Sequence, residues 1–290
     1  MNYLSLFSGI GGFEKGIENS KYNEELKCIG FSEVDKYATS IYKRHFPEHK
    51  ELGDVTKIRT EDLPEFELLV GGFPCQAFSL AGKRRGFDDT RGTLFFEIAR
   101  VLKDKKPKYF LLENVKGLLS HDKGRTFQTI LKVLSDLGYD AQWEIFNSKD
   151  YGVPHNRERI YIKGYNREKC RGEIFSTSTK KPILSTKIER LGNCAKGGHR
   201  SYDVMSLEGI CKCLSATDFM HPKWIIDNNQ NLRKLTPLEC ERLQGFPDNW
   251  TKFGVNNELI SNSQRYKCCG NAVTTNVITH IFNNWDLKLF

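Results

Sequence analysis

Two short runs in this chain, Leu68-Leu-Val70 and Tyr109-Phe-Leu-Leu112, are apolar at every position. A strand with one wet face alternates; a run without alternation belongs to a strand covered on both faces, as in a parallel sheet between helices. Around these runs, over the first 163 residues, apolar segments and helical stretches take turns. Tyr3-Leu-Ser-Leu-Phe7 reads as a first strand and Cys28-Ile-Gly-Phe-Ser-Glu33 as a second. Arg91 to Lys103 is helical, and Phe127, Ile130, Leu131, Leu134 and Leu137 recur at i, i+3, i+4 spacing on one helix face. Trp143 and Ile145, then Ile160 and Ile162, alternate with polar residues and predict two closing strands. The succession of βα units predicts an α/β fold, with a largely parallel sheet and helices on both faces.

At 290 residues the chain can bury roughly three quarters of its unfolded surface and accommodates one large domain plus a smaller one. No stretch approaches the ~18 consecutive apolar residues of a membrane span. Met1 to Gly16 lacks both a basic start and an apolar run, so no secretory signal is expected. Nine cysteines, an odd number without framework spacing, suit a reducing cytoplasm. Residues 165–200 hold nine Lys/Arg against three Glu, a net +6 of the total +8. They are rich in Gly, Ser and Thr and have little periodicity, so they are either a solvated surface or a contact for an anionic partner. Helical order resumes at Thr236-Pro-Leu-Glu-Cys-Glu-Arg-Leu243, where Thr236 is an N-cap, Pro237 sits at N1 and Glu239 completes a capping box.

Three clusters can carry chemistry. Phe7-Ser-Gly9-Ile-Gly11-Gly12-Phe13 leaves the first strand and opens a helix, where glycines let the backbone turn and approach a ligand. Glu33 lies 21 residues beyond Gly12, where a carboxylate can take the hydroxyls of a ribose; Glu14, standing where a third glycine would be, disfavours a dinucleotide. Alone, this pair reads equally well as a glycine turn followed by a chance acid. Gly71-Gly72-Phe73-Pro74-Cys75-Gln76 puts Cys75 at the carboxyl end of a strand. Cys75 is then a small buried apolar residue or, with Lys83-Arg84-Arg85 nearby to favour a thiolate, a nucleophile. Glu113-Asn114-Val115 brings a carboxyl out of a buried strand, where it is either a helix-capping acid or a group of raised proton affinity able to hold a proton near neutrality. Arg157-Glu-Arg159 begins a later strand, where a strand-edge salt bridge is the plain alternative.

Taken together and in order, these motifs resemble the cytosine-5 DNA methyltransferases over almost the whole chain. Phe7, Gly9, Gly11 and Gly12 are similar to the first cofactor motif, Glu33 with Val34 to the ribose acid, and Gly53-Asp54-Val55 to the adenine contact. Pro74-Cys75-Gln76 is similar to the nucleophile motif, Glu113-Asn114-Val115 to the proton-donor motif, and Asp150 to Arg159 to the motif of paired arginines. Arg233 to Pro247 resembles the ninth motif, and Gln264 to Val273 the tenth, with Asn271, Ala272 and Val273 returning to the cofactor pocket. Three positions depart from the pattern: Ser5 stands where Asp is common, His155 replaces Gln, and Cys268 replaces Gln.

The resemblance implies a Rossmann-like class I methyltransferase sheet, plus a small, mostly irregular or β target-recognition domain. It implies a catalytic domain over 1–179 and 262–290 and a recognition domain with its hinge over 180–261. S-adenosyl-L-methionine is the implied cofactor, contacted also by Gly72, Pro74 and Leu94. Cys75 is the implied nucleophile toward C6 of a flipped-out cytosine, Glu113 the N3 proton donor, and Arg159, with Arg157, the clamp on the ring oxygen and on Glu113. Gln76, Ser79, Lys83, Arg84 and Arg85 are implied DNA contacts. Lys196-Gly-Gly-His199-Arg200 reads as a base-reading loop or a solvated lysine-rich one. Cys194, His199, Cys211, Cys213 and His221 lack zinc-site spacing, so no metal is expected. The implied setting is a bacterial restriction-modification system: a cytoplasmic monomer on double-stranded DNA, with a cognate endonuclease acting on the same site. An RNA cytosine-5 methyltransferase and a catalytically lapsed DNA-binding protein are the alternatives.

Overall fold

The structure is a computed structural model that describes residues 1–74, 94–170, 190–193, 203–205, 210–218, 220, 223–226 and 231–287. The first part of the chain runs β1 (Asn2–Leu6), α1 (Gly12–Glu18), β2 (Lys27–Ser32), α2 (Lys36–His45), β3 (Leu68–Gly72), α3 (Leu94–Lys105), β4 (Tyr109–Val115), α4 (Arg125–Asp136), β5 (Tyr139–Asn147), β6 (His155–Asn156) and β7 (Glu158–Asn166). Six of these strands form one sheet in the order β2-β1-β3-β4-β7-β5. The pairs among β2, β1, β3 and β4 are parallel, while β7 is antiparallel to both β4 and β5.

Both faces of this sheet are covered, as its unbroken apolar runs require. Leu4, Leu6, Leu69, Phe110 and Leu112 face one way and pack with Phe95 and Ile98 of α3 and with Phe127, Ile130 and Leu134 of α4. Their neighbours Tyr3, Leu68, Val70, Tyr109 and Leu111 face the other way. There they meet Phe13 and Ile17 of α1 and the last helix of the chain. The predicted strands and helices are thus present, their ends shifted by up to three residues, and the predicted helix start at residues 91–93 lies outside the described residues.

The remainder comprises β8 (Arg190–Asn193), β9 (Asp203–Met205), β10 (Cys211–Lys212), β11 (Trp224–Ile226), β12 (Leu232–Lys234), α5 (Pro237–Leu243), α6 (Asn262–Asn271) and α7 (Thr275–Asn283). A second sheet has the order β12-β11-β9-β8, and β10 pairs in parallel with β6. The α5 capping box forms as expected: Glu239 N donates to Thr236 Oγ1 at 3.2 Å, and Glu239 Oε2 accepts from Thr236 N at 2.7 Å. After α5 the chain is seated on the large sheet's helices. Phe246, Trp250 and Ile260 share a buried cluster with Ile10, Phe31 and Tyr42, and Glu241 of α5 is ion-paired with Arg265 of α6 at 2.9 Å. Among the described residues, no helix is long and apolar enough to cross a membrane.

Candidate active site

From β1 the chain turns one way to β2 and, later, the other way to β3. Such a switch point opens a crevice at the carboxyl ends of the strands, and ligands of open α/β sheets bind there. Here the crevice is a cavity of about 580 Å³, bounded by Phe7, Gly9, Glu33, Val34, Asp54, Val55, Gly72, Pro74, Leu94, Glu113, Arg157, Arg159 and Asn271, among others. Residues from seven separated sequence motifs therefore meet in one place.

The Phe7–Gly12 turn is built for this cavity. Phe7, just after β1, has φ at +54°, and Gly9 lies at +57°, where a Cβ would meet no atom within 4 Å but would strain the backbone. The Gly9 N–H donates to Glu33 Oε2 at 2.8 Å, and Glu33 Oε1 accepts from the Val34 and Asp35 N–H groups, each at 2.8 Å. One carboxylate thus fastens the loop after β1 to the loop after β2. Asp54 Oδ1 similarly accepts from Thr56 N and Oγ1, which lowers its proton affinity. Beside these two acids, Val34 is left 73% exposed. Gly11, Gly12, Ala272 and Val273, expected at the cofactor, do not line the cavity. Gly11 leaves room for the Phe46 ring, and a Cβ on Gly12 would stand 2.6 Å from Val273 Cγ2. The close approach that these two glycines permit is made by the protein's own side chains.

At the other end of the cavity, β3 and β4 run in register, Gly72 opposite Glu113. Asn114 donates from Nδ2 to Phe73 O at 2.9 Å, and its Oδ1 accepts from Val115 N at 2.8 Å, fixing the turn that leads to Pro74. Because β7 is antiparallel, it starts where β4 ends, and Arg159 pairs with Val115. This register brings Arg159 Nε within 3.0 Å of Glu113 Oε1. Burial pushes the Glu113 carboxyl above its ordinary range, against the opposing pull of Arg159 and Arg157. The result is a carboxyl that can hold a proton, steered by a guanidinium.

Arg157, grouped with Arg159 in the sequence, is engaged differently. It is 2% exposed, and its guanidinium donates to Leu214 O (3.1 Å), Gly270 O (3.1 Å) and Ala272 O (2.8 Å). Gln244 joins it, donating from Nε2 to Cys269 O at 2.6 Å and accepting from Thr274 Oγ1 at 2.7 Å. The 269–274 turn that carries Asn271 is held by this pair. Asn114 and Gln244 fall inside motifs of the sequence, but their bracing roles do not show there, since an amide that braces backbone looks like any other polar residue until its partners are known.

Two departures from the expected pattern also find their places. His155 is fully buried; its Nδ1 lies 3.0 Å from Leu243 O and its Nε2 accepts from Leu214 N at 2.9 Å. It is therefore the neutral tautomer with the proton on Nδ1, and burial beside Arg157 takes its pKa down to about 3. Cys268 is buried in the cluster of Ile10 and Phe31, away from the cavity. Cys75, Gln76, Ser79, Lys83, Arg84, Arg85, Cys194, Lys196, His199, Arg200 and His221 lie outside the described residues.

An open α/β sheet of this order, with an acid-lined cavity at its switch point and a buried Glu–Arg pair on the rim, has the architecture of a Rossmann-like class I methyltransferase. The cavity has room for S-adenosylmethionine: its volume is in the range of about 300–1,000 Å³ typical of small-molecule sites, and the Glu33 and Asp54 carboxylates and the exposed Val34 lie on its wall. The sequence model of the C-5 cytosine-specific DNA methylase family matches residues 1–206 and 187–286. The chain is 43% identical to the Type II methyltransferase M1.ScrFI of Lactococcus lactis subsp. cremoris, over 95% of this chain and 75% of that one. It is 34% identical to M.HhaI of Haemophilus parahaemolyticus, over 98% and 94%. Among solved structures, S. pombe Dnmt2 methyltransferase superposes with a TM-score of 0.73 at 20% identity over 98% of this chain and 97% of that one, a likeness of fold. The chain belongs to the cytosine-5 DNA methyltransferase family. It transfers the methyl group of S-adenosylmethionine to C5 of cytosine in DNA.

Proposed function

We propose that this transfer takes place on a cytosine turned out of a specific double-stranded DNA sequence, through a covalent bond from Cys75 to C6. The observation that carries this reading is the buried Glu113–Arg159 pair at 3.0 Å, at the rim where Phe73-Pro74 delivers the chain to Cys75. C5 of cytosine is a poor nucleophile within an aromatic ring. Addition of the Cys75 thiolate at C6, with Glu113 giving its proton to N3, makes C5 an enamine carbon. When bound, S-adenosylmethionine supplies an electrophilic methyl group on a sulfonium sulfur. Arg159 steers Glu113 and takes the exocyclic carbonyl oxygen O2 of cytosine; Arg157 is a positioning residue that holds the Asn271 turn. Loss of the C5 proton to a base then expels the thiolate and restores the ring. A stacked base offers neither face to these groups, so it must leave the duplex.

Gln76, Ser79, Lys83, Arg84 and Arg85, close to the nucleophile in sequence, are assigned to the DNA backbone and the emptied stack. Lys196, His199 and Arg200 are assigned to base reading. Residues 1–179 and 262–290 form the catalytic domain and 180–261 the recognition domain and hinge; the pairing of β10 with β6 and the seat of Phe246 and Trp250 support a hinge anchored on the catalytic domain. We assign the chain to the bacterial cytoplasm as a monomer, paired with an endonuclease of the same specificity; its similarity to Type II methyltransferases of bacteria supports the bacterial setting.

The test is DNA carrying 5-fluorocytosine. Cys75 adds and the methyl group arrives as usual, but release requires loss of the C5 substituent as a cation, which fluorine does not allow. A denaturation-resistant adduct is expected only with S-adenosylmethionine present, with the nucleotide mass on a Cys75 peptide. Cys75→Ser should form none, since a hydroxyl is not ionised at working pH. Tight binding without adduct by the wild-type protein overturns the covalent reading; adduct formation by Cys75→Ser moves the nucleophile to another cysteine.

A further inference from the structure

Asp35 and Lys267, distant in sequence, form an ion pair beside the cofactor cavity without lining it. Lys267 Nζ donates to Asp35 Oδ2 at 2.5 Å. The other oxygen, Oδ1, accepts from the N–H groups of Tyr37 (2.9 Å) and Ala38 (3.2 Å) and so caps α2. The Asp35 N–H donates to Glu33 Oε1, and Glu33 Oε2 holds the Gly9 N–H. A line of contacts therefore runs from α6 through both acids to the loop after β1. On α6, Lys267 stands one turn before Asn271, and Gly270 and Asn271 line the cavity together with Glu33 and Val34. Burial works to raise the Asp35 carboxyl, but the bonds from Lys267 and the two N–H groups hold it below its ordinary range. The same pair holds the Lys267 ammonium above its own, so both groups are charged at neutral pH.

We propose that Lys267 and Asp35 are positioning residues for the cofactor: their ion pair locks the Asn271 end of α6 to the loop that carries Glu33 and Val34, and so sets the spacing of these cavity walls. The proposal rests on the assignment of that cavity to S-adenosylmethionine. Val34, between the two acids, is 73% exposed, so packing gives the loop little support and its shape depends on the bonds of Glu33 and Asp35. Cys268 and Ala272 of α6 and its cap are buried with Ile10 and Phe31, but apolar burial is non-directional. A carboxylate bound on both oxygens fixes angle as well as distance. Walls set before the cofactor arrives lower the ordering cost of binding. The pair shares no bond with Glu113 or Arg159, so it acts on cofactor affinity and not on the transfer step.

The test is calorimetric titration of S-adenosylhomocysteine into the full chain, beside KM and kcat for S-adenosylmethionine on unmethylated plasmid DNA. Lys267→Met keeps the aliphatic stem and removes the charge; Asp35→Asn keeps an oxygen for the α2 cap. Each should weaken binding about three- to fivefold, the upper scale of a partly exposed pair, and raise KM in parallel with kcat within about twofold of wild type. The double variant should bind no more weakly than either single one, and Lys267→Arg should restore most of the affinity. Wild-type binding by Lys267→Met, a fall in kcat with binding unchanged, or additive losses in the double variant overturns the proposal. Loss in Lys267→Met with wild-type binding by Asp35→Asn overturns it too, since Lys267 then acts without the pair. Glu33→Ala separates the two readings. If it also binds normally, the cofactor assignment of the cavity fails; if it alone loses affinity, only the positioning role fails. Should Asp35→Asn not fold, Lys267→Met and its rescue by Lys267→Arg decide.

Discussion

Two arginines a residue apart divide their labour because of where their guanidinium groups end. Arg159 reaches Glu113 in the cavity, whereas Arg157 is spent on the carbonyls of Leu214, Gly270 and Ala272. Truncating Arg157 leaves buried acceptors unpaired, at about 1–3 kcal/mol each. Arg157→Ala is therefore expected to lower the urea midpoint sharply, while Arg159→Ala keeps most of its stability and loses turnover. A wild-type midpoint for Arg157→Ala would refute the framework role. His155 yields a second prediction with a definite sign. The fold holds its pKa at about 3 against an ordinary 6.5, so between those values the unfolded chain binds a proton that the native chain refuses. The contribution of His155 is complete above pH 6.5 and is lost as pH falls, by up to about 1.4 kcal/mol per pH unit. Gln can donate to Leu243 O and accept from Leu214 N in the same place. His155→Gln should thus fold and show a shallower acid loss of stability than wild type, measured as unfolding free energy from pH 7 to pH 4; parallel curves would disprove it.

At the scale of elements, the amino end of α1 is shaped as much by α7's leading turn as by any ligand. Gly12 stands where a Cβ would lie 2.6 Å from Val273 Cγ2 and 3.1 Å from Val273 O. Gly12→Ala should cost about 1–3 kcal/mol through overpacking. Val273→Ala should return part of that cost, because two residues in contact do not act additively. Denaturation of both single variants and the double variant measures the coupling, and strict additivity would show that the two elements do not press on each other. The antiparallel turn of β7 has a comparable effect at the rim: reversing one strand lets residue 159 meet residue 113 without a crossover helix.

Across the whole molecule, the excess positive charge and the catalytic groups occupy different stretches of chain. Residues 165–200 carry a net +6 of the total +8 and none of the residues assigned to chemistry. Replacing 165–231 with the matching segment of a relative is expected to move the methylated sequence and leave turnover intact, as read by bisulfite mapping; an unchanged pattern would detach specificity from this segment. Affinity for duplex DNA should also fall steeply with salt, each phosphate contact releasing about 0.9 counterion.

Local pattern was enough to define the sheet, because a strand buried on both faces must be apolar at successive positions, and Leu68–Val70 and Tyr109–Leu112 are. It was also enough for the α5 capping box, which closes within four residues. Motif order located the cavity's edge at Phe7, Glu33, Glu113 and Arg159, each at or beside a strand end that is readable, and at Asp54, which only the family resemblance singled out. Long-range packing decided the rest. No pattern in the sequence distinguishes Arg157 from Arg159, or reveals that Gly12 makes room for Val273, that Gln244 and Asn114 brace turns, or that Glu14 is buried. Those roles depend on partners from β3, α5, α6 and the turn before α7, tens to hundreds of residues away. A side chain's hydrogen-bond partners and its loss of water exist only once the chain has closed around it.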